Sequence, residues 1–255
     1  MSRAPFRIEG EARYGGFVVL CDHAASAIPP GLDCLGLAPE VLETHVALDR
    51  GALALSQALA RALDAPLAYP TVSRLLIDCN RAPQRADLVV DETEFGPVPG
   101  NLNLSSAERT RRIVDVHAPY HEAVANLISS RTAVGEEPAL VAVHSFTPVL
   151  GGRVRPWHVG VLYRKDEELA EEVAGRLRAE PGLSVGLNVP YAPADGVYYT
   201  LERHAEARGL PSLMLEVRND LIGETSGIAT IAARLAGAIS ASTSRARPAA
   251  CAGAF

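Results

Sequence analysis

Short runs that are apolar at almost every position alternate with longer amphipathic stretches along this chain. FVVLC (17–21), LLIDC (75–79), ALVAV (139–143), VGVLY (159–163) and LMLEV (213–217) show no polar face, so each reads as a strand buried on both sides. Between them the spacing is helical. Pro39 followed by Glu40 opens a helix expected over 39–63. Ser105 with Glu108 makes a capping box for a helix over 105–130, which Pro119 should kink or split. A short charged helix is predicted over 166–179 and a closing one over 224–239. Helices alternating with buried strands predict an α/β fold: a three-layer, mostly parallel mixed sheet with helices on both faces.

The body, about 15–240, reads as one domain. Residues 1–15 look like an irregular lead-in, and 241–255 like a flexible tail. Residues 82–104 are rich in Pro and Gly and too polar for core, which marks them as a functional loop or lid.

Charge narrows the partners. The chain of 255 residues carries 24 basic and 30 acidic side chains, a net −6. An acidic chain without a basic block is a poor binder of nucleic acid or anionic membrane. No apolar run reaches the roughly 20 residues of a membrane helix. The opening MSRAPFRIEGEARYGG has no apolar secretory core. Cys21, Cys34, Cys79 and Cys251 form no CxxC pair and read as free thiols in or near the core, which suits a cytoplasmic protein.

The candidate chemistry follows the strands. FVVLC runs into Asp22-His23, LLIDC into Asn80-Arg81 and ALVAV into His144-Ser145, while LMLEV carries Glu216. Ligands of open α/β sheets bind beyond the carboxyl ends of the strands. One such His is more often structural than functional; two at equivalent strand ends suggest a metal pair. On the expected 39–63 helix, Leu42, Val46, Asp49 and Leu53 form one stripe, with Asp49 in its middle. A carboxylate there needs a cation, either a metal ion or Arg50 or Arg74. His45, one turn earlier, is a weaker ligand candidate. His117 and His121 are four apart, but Pro119 disturbs their helix, so they read as structural or solvent-facing. Glu216 is placed to be a general base, or else to pair with Arg218 or Arg81. Arg74, Asn80 and Arg81 offer the donors that grip a carboxylate, or form surface ion pairs. No GxGxxG motif follows the first strand, which argues against dinucleotide binding. Cys79 reads as a buried thiol.

These residues lie in segments that resemble the N-formylglutamate amidohydrolase family. The segments are CDHAASAIP (21–29), THVALDRGA (44–52), SRLLIDCNRAP (73–83), PGN (99–101), PYHEAV (119–124), VAVHSFTP (141–148), RPWHVGVLY (155–163), NVPYAPADGVYYTLERHAEARGLP (188–211) and LEVRNDLI (215–222). The resemblance covers about 15–240. It implies a fold like that of the zinc exopeptidases and aspartoacylases, and hydrolysis of the N-formyl or N-acyl amide of an acidic amino acid. N-formyl-L-glutamate, giving formate and glutamate late in histidine breakdown, is the name-giving substrate. By resemblance His23 and His144 are ligands of a divalent metal such as zinc, and Glu216 is catalytic. Asn80 and Arg81 hold the substrate carboxylate, with Arg74 beside them. Tyr199 and His204 fall on the substrate side, where either would meet a carboxylate or the oxyanion. The wider exopeptidase pattern HxxE is missing, since Ala24, Ala25 and Ser26 follow His23. Asp49 is the proposed replacement ligand. The expected partner is a small anionic N-acyl amino acid, and a homo-oligomer is compatible with it. An aspartoacylase- or carboxypeptidase-like deacylase, or a carboxylate-binding protein without metal, are the alternatives.

Overall fold

The structure is a computed structural model and describes residues 4–246. Eleven strands follow one another: Phe6–Glu9 (β1), Phe17–Leu20 (β2), Leu67–Pro70 (β3), Glu92–Thr93 (β4), Gly96–Pro97 (β5), Ala139–Phe146 (β6), Val149–Leu150 (β7), Arg153–Val154 (β8), Val159–Leu162 (β9), Val185–Leu187 (β10) and Ser212–Arg218 (β11). Seven form one sheet in the order β1-β3-β2-β6-β11-β9-β10, and β4–β5 and β7–β8 are small hairpins. β3, β2, β6 and β11 run parallel; β1 and β9 are antiparallel to their neighbours β3 and β11. The carboxyl ends of β2, β6 and β11 therefore open on one edge.

The helices are Pro39–Leu42 (α1), Ala52–Ala62 (α2), Ser106–Arg112 (α3), Ala118–Thr132 (α4), Glu167–Arg178 (α5), Tyr199–His204 (α6) and Thr225–Ala246 (α7). α2, α5 and α7 cover one face of the sheet, against Val19, Val141, Val143, Leu213 and Leu215. α4, α6 and the buried segment 75–79 cover the other, against Val18, Leu20, Leu140, Ala142 and Met214. Successive strand residues point to opposite faces. His144 and Glu216 thus continue the rows Leu140–Ala142 and Met214, on the α4 side.

The three-layer α/β fold is the predicted one, with local departures. The 39–63 helix is broken: α1 ends at Leu42, 43–51 is non-helical, and α2 starts after Gly51. Gly51 has φ 79°, and a Cβ there would meet the Ile222 carbonyl oxygen at 2.6 Å. The break delivers Asp49 to His23, whose carbonyl accepts the Asp49 N–H at 3.0 Å. LLIDC is not a strand. Its carbonyls are satisfied by side chains, Leu75 by Asn101 and Leu76 by Arg112, rather than by a sheet. The strand in its place is LAYP (β3), disguised by Pro70, and β1 lies in the expected irregular lead-in. Segment 82–104 is anchored by buried Leu88, Val98 and Asn101, so part of it is core after all. Ser105 does cap α3, accepting the Glu108 N–H at 3.1 Å. The expected interruption at Pro119 takes the form of a π turn, Ile113–His117, which leaves the proline in the first turn of α4. Helix α7 continues into the expected tail as far as Ala246, and the rest of that tail lies outside the described residues. Cys21 and Cys79 are buried thiols, but Cys34 is exposed; Cys251 lies outside the described residues. No described helix is long and apolar enough to cross a membrane.

Gly160 of β9 lies opposite Glu216, and a Cβ on it would meet the Val189 carbonyl oxygen at 1.8 Å. Gly160→Ala should therefore lower thermal stability by about 1–3 kcal/mol, roughly 2–10 °C in Tm, by displacing the 188–191 segment. Thermal denaturation followed by circular dichroism checks this.

Candidate active site

Three buried side chains converge at the carboxyl edge of the sheet. His23 follows β2, His144 lies in β6, and Asp49 arrives from the broken segment before α2. Asp49 Oδ2 stands 2.9 Å from His144 Nδ1 and 3.3 Å from His23 Nδ1, and the two nitrogens are 3.2 Å apart. The far nitrogens face carboxylates. His23 Nε2 meets Asp78 Oδ1 at 2.8 Å, and His144 Nε2 stands 3.4 Å from Asp22 Oδ2. With protons on Nε2, as these partners dictate, both Nδ1 atoms present lone pairs to the Asp49 carboxylate. Three acceptors pointing at one another repel unless a cation lies among them.

The donor set fits a divalent ion. Ligand atoms of a tetrahedral zinc ion, with bonds of about 2.0–2.1 Å, are about 3.4 Å apart. The carboxylates behind the two imidazoles are the partners that metal-bound histidines keep. His23, Asp49 and His144 could together hold a metal ion.

Electrostatics follow from the packing. Burial works against an ionised Asp49, yet His23 and His144 outweigh it and hold the carboxyl far below its usual range. Burial would lower His144, but the carboxylates of Asp22 and Asp49 on either side push it up to about 10. An imidazole between two buried carboxylates carries either a proton or a metal ion. Asp22 is itself fixed: Tyr120 and Thr200 donate to its Oδ1 at 2.7 and 3.0 Å. Glu216 sits in register with His144 on the adjacent strand. Burial pushes its carboxyl up to about 7, with His144 opposing, and its Oε2 has no hydrogen-bond partner among the described residues.

These groups open on a cavity of about 370 Å³, whose wall includes Arg74, Arg81, Tyr191, Phe146 and the hairpin residues Thr93 and Glu94. A larger cavity of about 1080 Å³ lies at the opposite edge, against Phe17, Ala139 and Pro211. None of the groups described above lines it, so size does not locate the chemistry.

The remaining candidates are placed unevenly. Arg74 bridges Asp49 Oδ1 at 3.3 Å and Asp78 Oδ2 at 3.1 Å, while its side chain still reaches the cavity. Asp49 therefore has Arg74 on one oxygen and the two imidazoles on the other. Arg81 gives Nε to Asp87 and Nη1 to the Asn80 and Gly196 carbonyls, leaving Nη2 without a partner among the described residues. The Asn80 amide is occupied at both ends, donating to the Val197 carbonyl and accepting the Thr200 N–H. It fastens the 197–200 segment and lines the cavity, with one N–H of its amide uncommitted. Tyr199 and His204 do not line the cavity. Tyr199 packs on His117 and His121 and accepts from Arg203, and His204 is buried with Nε2 2.8 Å from His121 Nδ1. His45 stays at the rim, 3.1 Å from Glu94. His117 and His121 are not solvent-facing: both are buried, each 2.9 Å from a carbonyl of the 79–81 turn. Sequence reasoning gave no role to Asp22 and Asp78. Their signal was adjacency, Asp22 to His23 and Asp78 to the Asn80-Arg81 pair.

A buried glutamate beside a His–Asp–His group, on the carboxyl edge of an α/β sheet, is an arrangement suited to hydrolases that act on amide bonds. The chain belongs to the N-formylglutamate amidohydrolase family, whose sequence model matches residues 15–223. Among solved structures it is similar to the gene product Atu2144 from Agrobacterium tumefaciens, with 37% identity, a TM-score of 0.93 and 96% of each chain covered. It also resembles an N-formylglutamate amidohydrolase from Ralstonia eutropha JMP134 in fold, with 23% identity, a TM-score of 0.70, and 95% and 98% of the two chains covered. No curated protein matches the chain.

Offered zinc, the purified protein should retain about one ion per chain, and Asp49→Ala and His144→Ala should lose it. Asp78→Ala, which removes only the carboxylate behind His23, should weaken zinc binding about 10–100-fold. Elemental analysis and competition with a chelating dye measure both.

Proposed function

We propose that this chain hydrolyses the N-formyl or short N-acyl amide of a small acidic amino acid, most simply N-formyl-L-glutamate to formate and glutamate. The observation that carries this reading is Glu216 in register with His144, beside the convergent His23, Asp49 and His144. Those three residues would hold a divalent ion, zinc by its preference for imidazole and carboxylate donors. When bound, such an ion polarises the scissile carbonyl and acidifies water.

The chain's own residues do the rest. Glu216 takes the proton from the attacking water and returns it to the leaving amine, which restores the carboxylate. Its burial, without a hydrogen-bond partner for Oε2, keeps its proton affinity close to neutral, where both transfers are efficient. Arg74 holds Asp49 and Asp78 in place and adds positive charge to the cavity wall. Arg81 offers its uncommitted Nη2 to a substrate carboxylate. The cavity suits a molecule of amino-acid size rather than a folded chain. The buried thiols Cys21 and Cys79 fit a reducing, cytoplasmic setting.

Glu216→Gln should lower kcat by about 10²–10⁴-fold, while zinc and product binding stay close to wild type. Near-normal turnover of N-formyl-L-glutamate by this variant would remove Glu216 from the role of base. The base must be unprotonated to act. Activity should therefore fall as pH drops through an acidic limb at or below about 7, because a bound cation draws the Glu216 carboxyl lower. A kcat/KM profile from pH 5 to 9 measures the limb, and Glu216→Gln should flatten it.

A further inference from the structure

One guanidinium beside the cavity has no counter-charge. Arg155 follows the β7–β8 hairpin and is 7% exposed. Its guanidinium lies between the rings of Phe146 and Tyr191, 5.6 and 5.3 Å from their centroids. Nη1 donates to the Tyr191 hydroxyl at 3.0 Å. Nη2 is buried and has no hydrogen-bond partner among the described residues. No carboxylate of those residues lies within ion-pair distance of Arg155. The contrast with its neighbours is sharp: Arg74 is paired with two aspartates, and Arg81 with Asp87.

A buried cation without an anion is costly, and stacking between two rings offsets only part of that cost. Phe146 and Tyr191 both line the catalytic cavity. The Tyr191 oxygen already accepts from Arg155, so its own proton is left to donate to something in the cavity. The positive charge behind the phenol makes it a stronger donor; burial pushes the Tyr191 hydroxyl up, and Arg155 is the first influence opposing it.

We infer that Arg155, acting through the Tyr191 hydroxyl, forms a receptor for a carboxylate of the substrate, a reading that rests on the amide hydrolysis proposed above. A dicarboxylic amino acid presents two carboxylates. Arg81 Nη2 takes one of them, and the Arg155–Tyr191 pair takes the other. Arg155 is thus a positioning residue that selects diacids over their mono-amides, without taking part in bond cleavage.

The test compares wild type, Arg155→Met, Arg155→Lys and Tyr191→Phe on N-formyl-L-glutamate and its two mono-amides, N-formyl-L-glutamine and N-formyl-L-isoglutamine. Arg155→Met should raise KM for the diacid about 10–100-fold with kcat little changed, bringing it level with one mono-amide whose own KM does not move. Arg155→Lys should recover part of the loss. Tyr191→Phe keeps the ring stack and should raise the diacid KM in the same selective way, so the inference stays open to refutation even if Arg155→Met folds poorly. Equal losses on all three substrates, or none on any, would overturn it. If wild type cleaves none of them, the proposed function fails, and calorimetry with glutarate then decides this inference alone. Glutarate bound by wild type and about 10–100-fold more weakly by Arg155→Met supports it; equal binding, or none to either, overturns it.

Discussion

Two imidazole nitrogens and a carboxylate oxygen face one another in a buried space, and much of the surrounding structure serves to make that arrangement tolerable. Each lone pair there needs its far side anchored. Asp78 stands behind His23 and Asp22 behind His144, while Arg74 ties Asp49 to Asp78. Tyr120 and Thr200 in turn hold Asp22, and Thr200 is itself held by Asn80. The network reaches through the whole layer between the sheet and α4. One face of the sheet is accordingly packed almost wholly with aliphatic side chains, while the other mixes aliphatics with buried polar groups.

The backbone is shaped to the same end. Three parallel strands place Asp22-His23, His144 and Glu216 at a common edge, which a strand pattern alone accomplishes. Asp49 is different, because a regular helix through 39–63 would carry it past the site. The chain breaks at 43–51 and turns at Gly51, where only a glycine escapes the Ile222 carbonyl. The 75–79 segment likewise forgoes strand pairing. In exchange it presents Asp78 to His23, its own carbonyls being held by Asn101 and Arg112. The histidine pair His117 and His121 pins the next turn by its carbonyls, which fixes where Arg81 points.

The sequence was legible where periodicity and position coincide. Apolar runs gave the central strands, and the residues following them gave His23, His144 and Glu216. Asp49 stands out as a carboxylate among apolar positions, but the helix that spacing implies is broken there. What the sequence hid was tertiary. LLIDC has a strand's composition, but distant side chains satisfy its backbone; LAYP pairs in the sheet although proline argues against it. Tyr199 and His204 have the chemistry of substrate contacts, yet each is committed to a partner outside the cavity. Asp22 and Asp78 needed knowledge of which imidazole edge faces inward, and Arg155 needed the absence of an acid around it. Neither can be read from a linear pattern.

Gly160 shows how such a scaffold separates stability from selectivity. Where β9 has no side chain, the Val189 carbonyl rests against the bare strand beside Glu216. The segment that carries Tyr191 is therefore seated in part by main-chain contact. A residue of that segment that faces the cavity can change while the main-chain contact against the strand beside Glu216 is kept. One wall of the cavity can in this way vary while the strand behind it stays fixed.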